Sequence, residues 1–206
     1  NEIIQTSINP KLNKAKLLYR SEDIVEKILL DLSVKGIDRI VVNNKEEQEN
    51  IKKAVKSDIE HQDTKIEIMD KSDIFETYDL NKQIEKSQNR KVWLKCGGFI
   101  TIDKTEALTA IDVNTGKFTG SKDLQETIFK VNKEATIEIA KQLRLRDCGG
   151  IIIIDYIDMG KQEDKQAIEK LLKEELKKDR TKTQVEGFTK LDLMEMTRKH
   201  ICSHKE

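Results

Sequence analysis

The stretch GGIIIIDYIDMG, residues 149–160, places Asp155 directly after four consecutive isoleucines. Four β-branched residues in a row predict a strand that is buried on both faces. A carboxylate at the end of such a strand is costly to remove from water unless it has a partner. The stretch therefore predicts a buried sheet and raises the question of which partner Asp155 binds.

A second segment of the sequence follows the same order. LTAIDVN, residues 108–114, is an apolar run that ends in Asp112 and Asn114. A loop and an amphipathic helix, predicted over residues 124–146 from apolar residues spaced three and four apart, separate the two segments. A strand–helix–strand connection of this kind makes its two strands parallel and close in space. Asp112 and Asp155 are therefore predicted at the carboxyl ends of nearby strands, where α/β sheets bind ligands.

Two roles are open for this pair of aspartates. Two carboxylates within a few ångströms of each other repel unless one is protonated or a cation lies between them. Mg²⁺ suits such a site, because it prefers carboxylate oxygens and keeps several waters beside a substrate phosphate. A strand-terminal aspartate is, however, also a common cap, whose carboxylate accepts hydrogen bonds from main-chain N–H groups. The pattern alone leaves the metal ligand and the cap as alternatives.

The remainder of the chain alternates helices and strands, which favours an α/β layer. Around residue 88 closely spaced strands replace this alternation, so a boundary in the pattern lies there. Before the boundary, the patterns predict a helix from Ser21, a strand at 38–43, a helix at 46–59 and a strand at 65–70. After it, they predict two strands within 90–103 turned by Gly97-Gly98, a helix at 161–178 and two strands within 181–199.

The composition narrows the class of protein. Lysine plus arginine number 38, as do aspartate plus glutamate, so the formal net charge of zero argues against binding of polyanions through bulk positive charge. The three cysteines are widely spaced without a CxxC pair, which predicts reduced thiols in a cytoplasmic protein. The sequence has no apolar run of about 18 residues and no basic-then-apolar leader, so no membrane segment is expected.

Other catalytic chemistries find little support in the sequence. The apolar run before Asp155 resembles the Walker B strand of phosphate-loop NTPases, yet no GxxxxGK[ST] loop is present. The three histidines are far along the chain from any plausible nucleophile, so a catalytic triad is unsupported. Basic runs at 141–147 (KQLRLRD) and 177–184 (KKDRTKTQ) offer local positive charge, although a charged helix end and a solvated charge run explain them too.

Five long stretches of the sequence carry a family resemblance: RKVWLKCGG, TEALTAIDVNTGKF, LQETIFKVNKEA, EIAKQLRLRDCGGIIIIDYIDM and KKDRTKTQVEGFTKLDLMEMTRK. They run from residue 90 to about residue 199, and weaker similarity extends back through AKLLYRSEDIVEKIL. These stretches resemble the catalytic region of the ribonuclease E/G family, and their sequence is more similar to the ribonuclease G branch than to the ribonuclease E branch.

The resemblance implies an endoribonuclease that uses Mg²⁺ or Mn²⁺, prefers single-stranded RNA and leaves 5′-phosphate ends. It places the family's two metal-holding aspartates on Asp112 and Asp155, and the asparagine that orients the first of them on Asn114. It places basic residues of the family's RNA path on Arg146 and Lys182. Lysine at the latter position keeps the charge of the arginine seen in some members but loses bidentate phosphate binding.

The same resemblance implies a fold, and it implies that some of the family's domains and motifs are missing from this sequence. A partial RNase H-like subdomain is expected over residues 1–88, followed by a DNase I-like α/β catalytic subdomain over residues 89–206. The family's S1 RNA-binding domain, most of its 5′-end sensor and its zinc-linking CPxC motif have no counterpart in this sequence. The chain is therefore expected to be a catalytic-domain fragment, weak or inactive alone, of a parent that forms homo-oligomers.

The sequence thus predicts the Mg²⁺-dependent core of an endoribonuclease for RNA processing or decay. Two other classes remain open. A non-catalytic RNA-binding or assembly module would keep this sequence without cleaving RNA, and the neutral net charge together with the missing counterpart of the S1 domain supports it over a nuclease. A metal-dependent phosphomonoesterase would hydrolyse small phosphate esters but not oligonucleotides.

Overall fold

The structure, a computed structural model, describes residue 28 and residues 39–57, 65–69, 73–116 and 124–201. The chain forms two compact units, Asn1–Leu80 and Asn81–Glu206. Both units combine strands with helices, so the predicted α/β class is confirmed. The RNase H-like and DNase I-like identities, and the domain boundary after residue 88, stay predictions.

The first unit contains a parallel pair of strands joined through a helix. In chain order its elements are β1 (Arg39–Val42), α1 (Lys45–Ser57), β2 (Lys65–Ile68) and α2 (Ile74–Thr77), with β1 and β2 paired in parallel. The Asn44 side chain accepts a hydrogen bond from the Glu46 N–H at 2.9 Å and so caps the first turn of α1. The order strand, helix, strand agrees with the sequence prediction. The helix predicted from Ser21 lies outside the described residues except for Ile28, which is helical.

The second unit is built on one six-stranded sheet. The elements in chain order are α3 (Leu80–Gln88, whose first residue is the last of the first unit), β3 (Lys91–Trp93), β4 (Phe99–Lys104), β5 (Leu108–Asn114), α4 (Leu124–Leu145), β6 (Gly150–Asp155), α5 (Gln162–Leu176), β7 (Thr183–Phe188) and β8 (Leu193–Arg198). The strand order is β3-β4-β5-β6-β8-β7. β5 and β6 pair in parallel and the other neighbours pair antiparallel, which confirms the predicted crossover through α4.

Helices α4 and α5 cover one face of this sheet. Side chains alternate along each strand, so Ile111 of β5 and Ile152 of β6 are buried beneath the helices. Burial of one such side chain contributes about 1.5–3 kcal/mol. The helices meet the sheet through apolar side chains spaced three and four apart, which are Ile128, Val131, Ala135, Ile139 and Leu143 of α4 and Ile168, Leu172 and Leu176 of α5. Within the described ranges, no helix is both long and apolar enough to cross a membrane.

The other face of the sheet has no cover among the described elements of the second unit. Ile151 keeps 51% of its surface exposed, and Asp112 and Asp155 lie on the same side. The prediction that the isoleucine strand is buried on both faces is therefore wrong. The physical reason is that both helices pack on the same side of the sheet. We refer to the uncovered side as the open face.

Candidate functional site

The carboxyl ends of β5 and β6 carry the two aspartates predicted as metal ligands. In the parallel register of these strands, Asp112 is the Cα partner of Asp155. Both side chains lie on the open face, because each follows a buried isoleucine and side chains alternate along a strand. Neighbouring strands are about 4.8 Å apart, so the two carboxylates are side by side. The predicted convergence of the two aspartates is confirmed.

Neither carboxylate acts as a main-chain cap within the described part of the chain. Asp112 accepts a hydrogen bond from Asn114, whose side-chain Nδ2 donates to Oδ2 at 2.5 Å. No main-chain N–H group of the described residues donates to Asp112 or Asp155. The capping alternative therefore has no support in these parts of the chain. Asn114 lies where an orienting residue is expected, and its role toward a metal stays a prediction.

The electrostatics of the site disfavour two ionised carboxylates side by side. Partial burial, the negative charge of Asp112 and the negative charge of Asp158 together raise the pKa of Asp155 above its ordinary value. Loss of water and like-charge repulsion both disfavour the ionised carboxylate, and either protonation or a bound cation relieves the repulsion. Asp158, which the sequence analysis did not assign to the site, is exposed and lies just after β6.

The donor set suits a hard divalent ion such as Mg²⁺. The two carboxylates offer oxygen atoms, and proteins hold Mg²⁺ through one or two carboxylates together with waters and substrate phosphate oxygens. Among the described residues, no group of three or more histidine, cysteine, aspartate or glutamate side chains gathers around a possible metal position. A site with two protein ligands fits Mg²⁺, whereas a structural zinc site uses four.

A tight turn between β3 and β4 holds the end of β5 in place. A Cβ atom added to Gly98 would lie 2.8 Å from the main-chain oxygen of Asn114, so only glycine allows this approach. Glu134 of α4 accepts hydrogen bonds from the main-chain N–H groups of Lys95 and Cys96 in the same turn. The turn thereby connects α4 to the strand end that carries Asn114.

The two basic residues predicted to bind RNA lie at the opposite end of the sheet from the aspartates. Arg146 precedes β6, whose length of roughly 16 Å separates it from Asp155. Its guanidinium donates to Gln142 Oε1 at 2.8 Å and to the Asn89 main-chain oxygen at 2.7 Å, and burial lowers its pKa. Lys182 is exposed and precedes β7. The first residue of β7 pairs with the last residue of β8, which in turn pairs with the first residue of β6. Their RNA-binding roles stay predictions.

Three side chains that the sequence analysis did not assign lie on the open face beside Asn114. Phe99 of β4 is the Cα partner of Asn114, and Trp93 of β3 is the Cα partner of Phe99. The two rings meet edge to face with centroids 5.4 Å apart. The Lys91 ammonium lies 4.1 Å from the Trp93 ring centroid and 3.5 Å from that of Phe99. Trp93 lies four residues before Gly97 and Phe99 lies one residue after Gly98, so their positions about the turn give no sequence signal for this pairing.

Comparison with known proteins identifies the family. The model of the "Ribonuclease E/G family" matches residues 1–201. Ribonuclease G of Escherichia coli strain K12 is 42% identical over 183 residues, which are 88% of this chain and 37% of that protein. Ribonuclease G of Haemophilus influenzae is 51% identical over 126 residues, which are 61% of this chain and 26% of that protein. Ribonuclease E of Escherichia coli strain K12 is 45% identical over 128 residues, which are 62% of this chain and 12% of that protein.

These matches have two consequences. The chain spans well under half the length of each of these three relatives, at most the 37% found for ribonuclease G of Escherichia coli. The family match nevertheless covers nearly the whole of this chain, including both aspartates and the helix between them. The resemblance noted in the sequence is therefore confirmed, and the chain belongs to the ribonuclease E/G family.

Proposed function

We propose that this chain is the core of a Mg²⁺-dependent endoribonuclease that cuts single-stranded RNA and leaves 5′-phosphate ends. The observation that carries the proposal is the register of β5 and β6, which sets Asp112 beside Asp155 on the open face. The names of the relatives, ribonuclease G and ribonuclease E, support RNA as the substrate. The cytoplasm is the proposed compartment, because Cys96 and Cys148 are free thiols.

Each residue of the proposed site has a distinct task. Asp112 and Asp155 hold Mg²⁺ through their carboxylate oxygens, and Asn114 keeps the Asp112 carboxylate in one rotamer through its hydrogen bond. When bound, the ion supplies polarisation of the scissile phosphodiester and activation of the attacking water. Arg146 and Lys182 contact backbone phosphates away from the scissile bond, because they precede the strands at the other end of the sheet.

Cleavage of a 3′-labelled, single-stranded oligoribonucleotide tests the proposal. The chain is used in molar excess with long incubation, because it spans 37% of the matched ribonuclease G of Escherichia coli. With Mg²⁺ or Mn²⁺ we expect slow internal cleavage and a 5′-phosphate on the labelled fragment, detected with an exonuclease that requires this group. EDTA should stop the reaction.

Two outcomes of this experiment contradict the proposal. Fragments with 5′-hydroxyl ends that still form in EDTA indicate a metal-independent transesterification. Absence of cleavage, combined with a melting temperature that RNA raises equally with and without divalent ions, indicates the non-catalytic RNA-binding module.

Replacement of Asn114 with alanine is expected to weaken Mn²⁺ binding about 10–100-fold, the usual cost of removing a hydrogen bond to a metal ligand. The reason is that the Asp112 carboxylate loses the donor that fixes its rotamer. Isothermal titration calorimetry with Mn²⁺ measures the change. Gln184→Ala is the matched control, because Gln184 is an exposed amide on β7 whose side chain donates to Glu186. Equal affinities for Asn114→Ala and the control would show that this hydrogen bond does not serve the site.

A further inference from the structure

We propose that Trp93, Phe99 and Lys91 form a platform on which an unpaired base of single-stranded RNA stacks beside the Asp112–Asp155 pair. We call these three side chains the aromatic platform. The proposal rests on the proposed function, because it names how the same open face positions its substrate.

The exposure of the aromatic platform is its first unusual property. Cross-strand aromatic pairs stabilise sheets, which accounts for the contact between Trp93 and Phe99. It does not account for the 63% of the Trp93 surface that stays exposed to water although two side chains contact the ring. A large exposed ring is what a base needs, because stacking on an aromatic side chain uses the π-face that every base has.

The position of the aromatic platform places it next to the aspartates. Trp93, Phe99 and Asn114 form one row across β3, β4 and β5, and Asp112 lies two residues before Asn114 on the same face. With strands about 4.8 Å apart and two residues spanning about 6.6 Å, the Cα atoms of Phe99 and Asp112 are roughly 8 Å apart. A short single strand can therefore contact the aromatic platform and the aspartates at once.

The charge of the aromatic platform favours RNA over an apolar protein partner. The Lys91 ammonium lies over both rings and supplies positive charge on the open face. The nearby carboxylate of Asp103 is already neutralised, because Arg90 donates to both of its oxygens at 2.5 and 2.6 Å. Single-stranded nucleic acid offers a base for the rings and a phosphate for the ammonium, which is the usual combination in such sites. An apolar surface would instead have to remove the ammonium from water.

The fluorescence of Trp93 provides a direct test, because it is the only tryptophan in the chain. The chain is titrated with decauridylate in EDTA, which prevents metal-dependent cleavage. We expect saturable quenching of Trp93 by the single strand, and little quenching by an RNA duplex of equal length whose bases are already paired. Anisotropy of fluorescein-labelled decauridylate then measures Kd for the variants. Trp93→Ala should raise Kd about tenfold, and Trp93→Tyr should stay within about threefold of the wild type.

Ile151→Ala is the matched control for the loss of an exposed apolar side chain on the open face. Ile151 is 51% exposed and lies at the opposite end of β6 from Asp155, so its removal should leave Kd unchanged. The aromatic platform is refuted if Trp93→Ala leaves Kd unchanged, or if Ile151→Ala raises Kd as much as Trp93→Ala does. Absence of quenching in the wild-type chain overturns it as well, and this measurement needs no variant.

The aromatic platform and the nuclease activity can fail separately. If cleavage depends on metal but Trp93→Ala keeps the wild-type KM and Kd, the proposed function is supported and the aromatic platform is refuted. If decauridylate binding depends on Trp93 but no metal-dependent cleavage occurs, the aromatic platform is supported and the proposed nuclease activity is refuted.

Discussion

Replacement of Asp112 or Asp155 with asparagine is expected to reduce Mg²⁺-dependent RNA cleavage by about 10²–10⁴-fold. A metal ion at a phosphodiester contributes several kcal/mol to the transition state, and each 1.36 kcal/mol is about one decade of rate. Asparagine keeps the size of the side chain but offers a neutral amide in place of a charged carboxylate ligand. Cleavage is measured with the labelled oligoribonucleotide, and loss of Mn²⁺ binding is measured by calorimetry.

The same substitutions should leave the fold intact. Asp155 is exposed, and its carboxylate lies beside Asp112 without a cap from the described residues. Its pKa is raised in the folded protein by partial burial and by two neighbouring carboxylates. A raised pKa of an acid means that the wild type loses stability relative to Asp155→Asn as the pH rises from about 3.9 through the folded value. In the absence of divalent ions at neutral pH, Asp155→Asn should therefore melt at the wild-type temperature or slightly above it.

Glu195→Gln is the matched control for both substitutions. Glu195 is an exposed carboxylate on β8, and its Cα partner on β6 is Ile153, two residues before Asp155. The control makes the same change from acid to amide on the open face and should cleave at the wild-type rate. If Asp112→Asn or Asp155→Asn also cleaves at that rate, the aspartate concerned has no part in the mechanism.

The sequence predicted the site because the pattern that marks it lies within short segments of the chain. An apolar run followed by aspartate occurs twice, and a helix of suitable length separates the two runs, so the parallel pairing of β5 with β6 follows from general rules of connection. The position of Arg146 relative to the aspartates also follows from these rules. Arg146 precedes the strand that Asp155 ends, and a strand is extended.

The open face could not be predicted from the same pattern. Four isoleucines in β6 give no alternation of polar and apolar residues, so the exposed Ile151 and the half-buried Ile153 cannot be told from the buried Ile152 and Ile154. The side of the sheet that the helices cover is a tertiary property. The aromatic platform was missed for the same reason, because the hairpin was predicted without a face being assigned to Trp93 and Phe99.

The burial and ion pairs of Arg198 could not be predicted from any local sequence pattern. It belongs to the MTRK stretch that carried the family resemblance, and its side chain is fully buried. The guanidinium donates to Asp179 Oδ2 at 2.8 Å, to Asp147 Oδ1 at 2.7 Å and to the Cys148 main-chain oxygen at 3.0 Å. Two of these partners are 51 and 19 residues away in the sequence, so a basic residue there reads from sequence alone as a surface charge.

Replacement of Arg198 with methionine is expected to destabilise the second unit by about 3–5 kcal/mol, because it leaves a buried carboxylate without its cation. Asp179 has 1% of its side chain exposed, so water cannot replace the lost guanidinium. The melting temperature should fall by on the order of 10 °C. Urea denaturation followed through Trp93, which lies in the second unit, measures the free energy of unfolding.

A double variant separates the unpaired charge from the loss of packing. Arg198→Met combined with Asp179→Leu removes both members of the buried pair, and apolar replacement of such pairs is often neutral or stabilising. The double variant should therefore recover a large part of the loss. A double variant as unstable as Arg198→Met would show that packing around the guanidinium, and not the unpaired Asp179, causes the destabilisation.

The pH dependence of the Arg198→Met effect has a definite sign. Burial alone would raise the pKa values of Asp147 and Asp179, but hydrogen bonds from Arg198 and from main-chain N–H groups outweigh burial, so both pKa values lie below the ordinary value. An acid with a depressed pKa in the folded state stabilises above its unfolded pKa of about 3.9, and this contribution is lost as the pH falls through the folded value. The stability difference between wild type and Arg198→Met should therefore be constant near neutral pH and shrink below about pH 4. A difference that persists unchanged in acid would mean that the carboxylates of Asp147 and Asp179 are not what Arg198 stabilises.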